Sequence, residues 1–445
     1  MTSGGLSQRA RLELSDPLAR SSYSLLLNSV ATGALGLAFW ILASRLNARS
    51  AVGRDGALIA AMMTISSICE LNVGNTITRF IPRAGERARR WLVAAYLAGV
   101  STTALGAAAF VLIAPRASRN FDFLRSDTSV AVGFVIAALL WTVFAVQDAV
   151  LTAIRRAPWV PVENALFGAL KLVLLPCFAA VALRHGIFLA WSLPMAALIV
   201  PVNWLIFRRF LPEHVHLVPE RDAAGQSWDR ARLRRFLAQD YLGFVMNMAV
   251  QAVPPLLVVG LLGSSANGYF YIPFVLVNAF DVAFLAACTS LVVEGSLAAS
   301  RISELTRNAT ARFAKLLIPG VIVLVGAAPL ILLPFGASYA SHGSTVMRIL
   351  GAASILRVAV ALYAAAARLR GNGLQIMMIY ALELGPLLGL AILLSHPLGI
   401  EGVALAWLAG NGLAALVALP SLTRLIRSAR TASGRGGGTA EVIAS

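Results

Sequence analysis

The chain is 445 residues long, 58% hydrophobic and only 13% charged, with a mean hydropathy of +0.78 and a formal charge of +17. Soluble globular domains carry about a quarter of their residues as charges. The composition therefore excludes an ordinary soluble enzyme, and without a basic soluble domain it excludes a nucleic-acid partner.

Apolar runs of about 20 residues, each enough to cross the hydrocarbon core as a helix, recur along the chain. They predict an all-α integral membrane protein of about twelve spans, near 18–44, 54–78, 91–114, 128–154, 161–183, 187–207, 237–262, 267–292, 313–334, 344–367, 374–395 and 399–424. Asp16 can cap the first helix and Pro17 fits its first position, where the missing N–H costs nothing. No small-residue cleavage site follows a short apolar core, so this span is expected to stay as an anchor.

Most of the 37 lysines and arginines fall in alternate connections and at both ends. The positive-inside rule then predicts a multi-pass protein with both termini cytoplasmic and anionic lipids as partners. Arginine and alanine outweigh lysine and isoleucine, which points to a bacterial source and hence to the cytoplasmic (inner) membrane. Lys171, Arg348 and Arg357 escape the pattern, because they lie inside spans.

The longest hydrophilic interruption sits between the sixth and seventh spans. It divides the chain into an N-terminal lobe at 1–208, a cytoplasmic linker at 209–235, a C-terminal lobe at 236–427 and a flexible basic tail at 428–445. Within the linker, SWDRARLRRF suits either a short interfacial helix capped by Ser227 or a solvated connection. Six spans per lobe give both lobes one orientation, so any repeat is parallel. Tyr23 before Asn28 and Tyr241 before Asn247 open the two halves in a faintly similar way.

Chemistry on covalent bonds has no visible support. A phosphate-binding glycine loop, GxGxxG, HExxH and GxSxG are all missing, the histidines lie in loops or at span ends, and the external connections are short. Cys69, Cys177 and Cys288 show no metal-ligand spacing. The expectation is no catalytic residue, no metal and no cofactor.

Polar groups within spans are the informative residues, since a central charge costs about 2.5–3.5 kcal/mol there. Asp240, Phe244, Asn247 and Gln251 share one helical face, as do Asn267, Tyr271, Phe274, Asn278 and Asp281. Such stripes suit a wet surface for a sugar-bearing ligand, or hydrogen bonds between helices worth about 0.6 kcal/mol each. Ser24 and Asn28 share a face with Arg20, and Ser66, Glu70 and Gly74 line up in the second span. Gln147 and Asp148 lie near the end of the fourth span, where Arg155 is the expected partner of Asp148. Arg357 and Glu383 are candidates for a buried ion pair between adjacent spans. Lys171 has no partner on its own helix.

Residues 36–85, GLAFWILASRLNARSAVGRDGALIAAMMTISSICELNVGNTITRFIPRAG, carry a family resemblance. Their FW and arginine in the first span, VGR entering the second, LNVG near its end and RFIPRAG beyond it resemble bacterial polysaccharide-biosynthesis membrane proteins. These are the lipid-linked oligosaccharide flippases of the multidrug/oligosaccharidyl-lipid/polysaccharide (MOP) exporter superfamily. The resemblance implies two six-helix lobes around a V-shaped cavity, lined by the first, second, seventh and eighth spans, that opens alternately to either side. The implied cargo is an oligosaccharide on a polyprenyl diphosphate, moved outward for cell-surface polysaccharide synthesis. Few lysines and acids fall in the cavity spans, which leaves the coupling source open among H+, Na+ and membrane potential.

A flippase must shield a dianionic headgroup that cannot cross lipid bare. On that reading Lys171, Arg357 and Arg20 are diphosphate candidates, and Asn28, Asn247, Gln251, Tyr271, Phe274 and Asn278 are sugar contacts. Glu70, Asp281 and Glu383 are candidates for ion coupling or gating. The partners are lipid-linked oligosaccharide, membrane lipids and possible polymerases and glycosyltransferases, with a monomer as the transporting unit. An ion-coupled drug antiporter of the same architecture, or a non-transporting scaffold for glycan assembly, are the competing readings.

Overall fold

A computed structural model describes the backbone of residues 17–71, 73–217, 230–297, 317–370 and 372–436. Side chains are described within these ranges except at 17–31, 216–217, 230–237, 282–297, 425–436 and a few isolated positions. Among the described residues every regular element is a helix. The chain divides into two compact units, Met1–Ser227 and Trp228–Ser445.

In the first unit, α1 (Pro17–Leu46), α2 (Arg49–Cys69), α3 (Val73–Phe80), α4 (Ala88–Ala117), α5 (Phe123–Ser126), α6 (Thr128–Ala153), α7 (Trp159–Ala180), α8 (Gly186–Leu205) and α9 (Leu211–Leu217) follow in order. In the second come α10 (Arg230–Leu262), α11 (Ser264–Leu297), α12 (Leu317–Gly326), α13 (Ala328–Leu332), α14 (Ala337–Leu369) and α15 (Gly373–Gly436). Among the described residues eight helical stretches are long and apolar enough to cross a membrane, or nine if the bent pair Leu317–Gly326 and Ala328–Phe335 is one span, and the described parts of the expected spans are largely helical. Large apolar side chains such as Leu105, Val200 and Leu330 are more than 70% exposed, as lipid-facing residues should be.

The spans are less regular than the sequence suggests. The second breaks after Cys69: Leu71 takes φ +53 and the helix restarts at Val73. Thr102 donates its hydroxyl to the freed carbonyl of Cys69, which satisfies a helix end inside the protein. The ninth is bent by 75° between α12 and α13, with Pro329 just inside the restart. The sixth runs on through a π-helical stretch, Ile206–Phe210, into α9, so helix occupies the start of the expected linker. At the other end of that linker, α10 is continuous from Arg230 into the seventh span. Ser227, the expected cap, lies outside the described residues. The last two spans form one helical stretch divided at Gly399, whose φ of +57 and ψ of −135° no ordinary helix contains.

Packing within each unit rests on interlocked helix pairs. Gly168 of α7 admits the Leu35 side chain of α1 to 2.5 Å from where a Cβ would stand. In the second unit Gly410 lets the Glu383 carbonyl oxygen approach to 2.4 Å from its would-be Cβ. Small residues at these crossings allow close backbone approach, the main source of helix association in lipid. Among the described residues apolar cores form around Val146, Val150, Ile154 and Ile206 in the first unit and around Val358, Leu362, Ile379 and Ala414 in the second.

Candidate functional site

In the first unit Lys171 is 3% exposed, although it carries one of the few charges within a span. The contact of Gly168 with Leu35 draws α1 against α7 and brings Phe39 to the lysine. The ammonium Nζ lies 3.9 Å from the ring centre of Trp191, 4.9 Å from Phe167 and 5.2 Å from Phe39. Those rings meet edge to face, with Trp191 5.3 Å from Phe39 and 5.8 Å from Phe167. No carboxylate lies within ion-pair distance of Lys171 among the described residues. An aromatic cage is worth about 2 kcal/mol or more per desolvated cation–π contact, so it offsets part of the burial cost and leaves a net positive charge.

The second unit concentrates the other central charges. Arg357 on α14 donates from Nη1 to Asn278 Oδ1 at 2.8 Å and to Asp281 Oδ2 at 3.0 Å, both on α11. Its guanidinium lies 5.4 Å from the Trp407 ring, which packs at 5.2 Å on Phe274. Glu383 on α15 is 1% exposed, lies within electrostatic reach of both Arg357 and Asp281, and has the Asn411 side chain as its hydrogen-bonding neighbour. The expected Arg357–Glu383 pair is thus corrected. α14 packs on α11 as well as α15, and the shorter reach goes to Asp281. One cation faces two carboxyl groups, so acidic side chains outnumber basic ones in this cluster.

The remaining candidates are dispersed. Glu70 caps the break in the second span, where its carboxylate accepts from the Gly74 N–H at the start of α3. Gln251 donates to Asn247 Oδ1 at 2.9 Å, so this expected sugar-contact pair bonds along its own helix. Tyr271 and Phe274 are buried and Asn278 is half-buried. The side chains of Arg20, Asn28 and Asp240 lie outside the described residues. Asp148 does not pair with Arg155. Helix α6 ends at Ala153 and Arg155 takes φ +60, while Asp148 accepts from Asn164 Nδ2 at 3.3 Å.

Two features escaped the sequence reading. The Lys171 cage draws rings from α1, α7 and α8, and only Phe167 is close to Lys171 in sequence. Asp55, fully buried at one end of α2, accepts from His185 Nδ1 at 3.0 Å, from the Phe188 N–H at 3.3 Å and from Arg54 Nε at 3.3 Å. Its polarity alone could have marked it.

No protein-family model and no curated protein matches the sequence. Solved structures do match in fold. An inward-facing multidrug resistance MATE family transporter of the MOP superfamily aligns with a TM-score of 0.65 at 15% identity, over 92% of this chain and 99% of that one. A MOP superfamily transporter from Pyrococcus furiosus, described as having a binding pocket of reverse polarity, aligns with a TM-score of 0.61 at 16% identity, over 94% and 98%. A mutant MATE transporter of Vibrio cholerae aligns with a TM-score of 0.57 at 18% identity, over 93% and 97%. The chain therefore has the all-helical, about twelve-span fold of the MATE transporters of the MOP superfamily.

Proposed function

We propose that the chain is a transporter working by alternating access, and that its cargo is an oligosaccharide linked to a polyprenyl diphosphate. Both termini then face the cytoplasm, as the positive-inside pattern predicts. The observation that carries the cargo assignment is Lys171, a buried cation that no described carboxylate neutralises. A fixed positive charge in a low-dielectric site attracts an anionic headgroup far more strongly than it would in water. Arg357, partly neutralised by Asp281, is the second diphosphate candidate, and Arg20 remains the third. The lobes at 1–208 and 236–427 move against each other in this reading, and the glycan passes to polymerases or other transferases outside. Reconstitution in proteoliposomes with a fluorescent short-chain polyprenyl-diphosphate oligosaccharide tests it. Lys171→Ala should lower the flipping rate at least about tenfold at equal protein levels. Parental rates in both Lys171→Ala and Arg357→Ala would overturn the assignment.

A cation-coupled drug antiporter is the second reading. It is favoured by the excess acid of Glu383 beside the Asp281–Arg357 pair and by the MATE transporters that share the fold. Resistance to cationic dyes on expression, lost in Glu383→Gln, would select it over the flippase.

A further inference from the structure

The first unit carries an apolar cleft between α7 and α8, away from the Lys171 cage. Val162 and Leu166 of α7 form one wall, Val202 and Leu205 of α8 the other, and Leu151 of α6 closes the floor. Val162 and Leu166 are 48% and 50% exposed, so the cleft is a groove in the lipid-facing surface. Glu163 also reaches its wall and is 3% exposed. An anionic group pushed into the cleft would meet that acid and hydrocarbon on every other side. A hydrocarbon chain fits inside, and any negative charge attached to it must stay at the rim.

That rim is basic. Trp159 and Phe210 line the mouth with ring centres 5.5 Å apart, and the Arg156 guanidinium lies 5.0 Å from the Phe210 ring. The π-helical stretch Ile206–Phe210, a geometry frequent at functional sites, buries Ile206 and Phe210 and leaves Arg208 and Arg209 exposed. Arg156 and Arg209 share Glu213. Arg155 and Arg208 are exposed, and neither has a carboxylate within ion-pair distance among the described residues. Four arginines against one glutamate leave the rim positive. The depth agrees with a headgroup there. Trp159 and Trp204 are 41% and 61% exposed, and such tryptophans mark the membrane–water interface. Val162 and Leu166 follow Trp159 by three and seven residues, which sets them about 5–10 Å deeper along the helix. Acyl chains begin at that depth.

We infer that this cleft is a binding site for one anionic phospholipid of the cytoplasmic leaflet, with an acyl chain lodged between α7 and α8 and its phosphate held by Arg155 and Arg208. The side follows from the positive-inside pattern, and the inference goes beyond the transporter reading without depending on the cargo. Exposed guanidinium groups suit a phosphate because they present paired donors and are weakly hydrated. The acyl chain covers wall positions that would otherwise form a notch in the lipid-facing surface. Charge at the rim selects the headgroup, while the shape of the cleft holds the lipid in one place.

Quenching of Trp159 in the full-length protein tests the site. The protein is reconstituted in phosphatidylcholine vesicles, and lipid brominated along its acyl chains is added at increasing mole fraction. The Trp159 signal is the difference between each protein and its Trp159→Phe counterpart. Brominated phosphatidylglycerol should quench it at a mole fraction at least about fivefold lower than brominated phosphatidylcholine, the preference that one arginine near the surface supplies. The double variant Arg155→Gln/Arg208→Gln should lose that preference. Val162→Phe, which fills the cleft and alters no charge, should lose it too. All three positions are exposed, so the variants should melt with the parent. Equal quenching by the two lipids in the parent would overturn the inference. A preference kept in the arginine variant would do the same, and one kept in Val162→Phe would replace the site with attraction by the charged surface at large. Quenching by a brominated polyprenyl phosphate but not by phosphatidylglycerol would give the cleft to the cargo's tail. Flipping rates play no part in this readout, so its failure leaves the transporter reading standing.

Discussion

Arg357 Nη1 and Asp281 Oδ2 lie 3.0 Å apart, from helices separated by 76 positions in sequence and both almost fully buried. Glu383 lies within electrostatic reach of both, with the Asn411 side chain as its hydrogen-bonding neighbour. The cluster is therefore asymmetric. Removing the cation strands two acids, while removing Asp281 leaves Glu383 as a substitute partner.

That asymmetry predicts unequal losses. Arg357→Gln should destabilise the purified protein by about 3–5 kcal/mol, the range for an orphaned buried charge. Asp281→Asn keeps an acceptor for the guanidinium and should cost only about 1–3 kcal/mol. Denaturation in detergent measures both, and an Asp281→Asn loss equal to or above that of Arg357→Gln would refute the shared role of Glu383.

Lys171 should behave in the opposite way. Replacing an isolated buried charge by an apolar chain of similar length removes a desolvation cost, against which only the ring contacts are lost. Lys171→Met should thus melt no lower than the parent, within about 1 kcal/mol, while flipping falls at least about tenfold. Joint loss of stability and activity would assign Lys171 to packing alone.

The helices themselves were legible because hydrophobic length is a one-dimensional property of the chain, and Lys171, Arg357 and Glu383 stood out by their cost in lipid. Their partners were not. Asp281 reaches Arg357 through the packing of α11 on α14, and sequence neighbourhood favoured Glu383 on the following span. The break after Cys69 was equally hidden, since Leu71 at φ +53 has no glycine or proline to announce it, whereas the turn at residue 399 falls on a glycine. Asp148 and Arg155 stand seven residues apart, two helical turns if the helix continued. The chain leaves the helix at Ile154 and turns the arginine away.

The crossing at Gly410 predicts a local steric effect. A methyl there would meet the Glu383 carbonyl oxygen at 2.4 Å, against backbone that cannot step aside. Gly410→Ala should cost about 1–3 kcal/mol, as overpacking does. Gly389→Ala on the same helical stretch has open space within 4 Å and should gain about 0.5–1 kcal/mol from helix propensity. Equal melting shifts for the two would contradict the close approach.

Asp55 ties the start of α8 to α2, and its loss should be felt there before anywhere else. The carboxylate takes the His185 Nδ1–H and the Phe188 N–H, and His185 itself sits at φ +62, a conformation that a non-glycine residue keeps only when its surroundings hold it. In Asp55→Ala the ring and the amide lose their acceptor in a buried place, at about 1–3 kcal/mol for each unsatisfied group. Hydrogen exchange should accelerate at residues 185–189, while amides around Arg357 keep the parental rate, because the two lie in separate compact units. Asp55→Asn retains one acceptor oxygen and should fall between parent and alanine. Unchanged exchange at Phe188 in Asp55→Ala would show that the helix start is held by apolar packing of Phe188 on Phe134 instead.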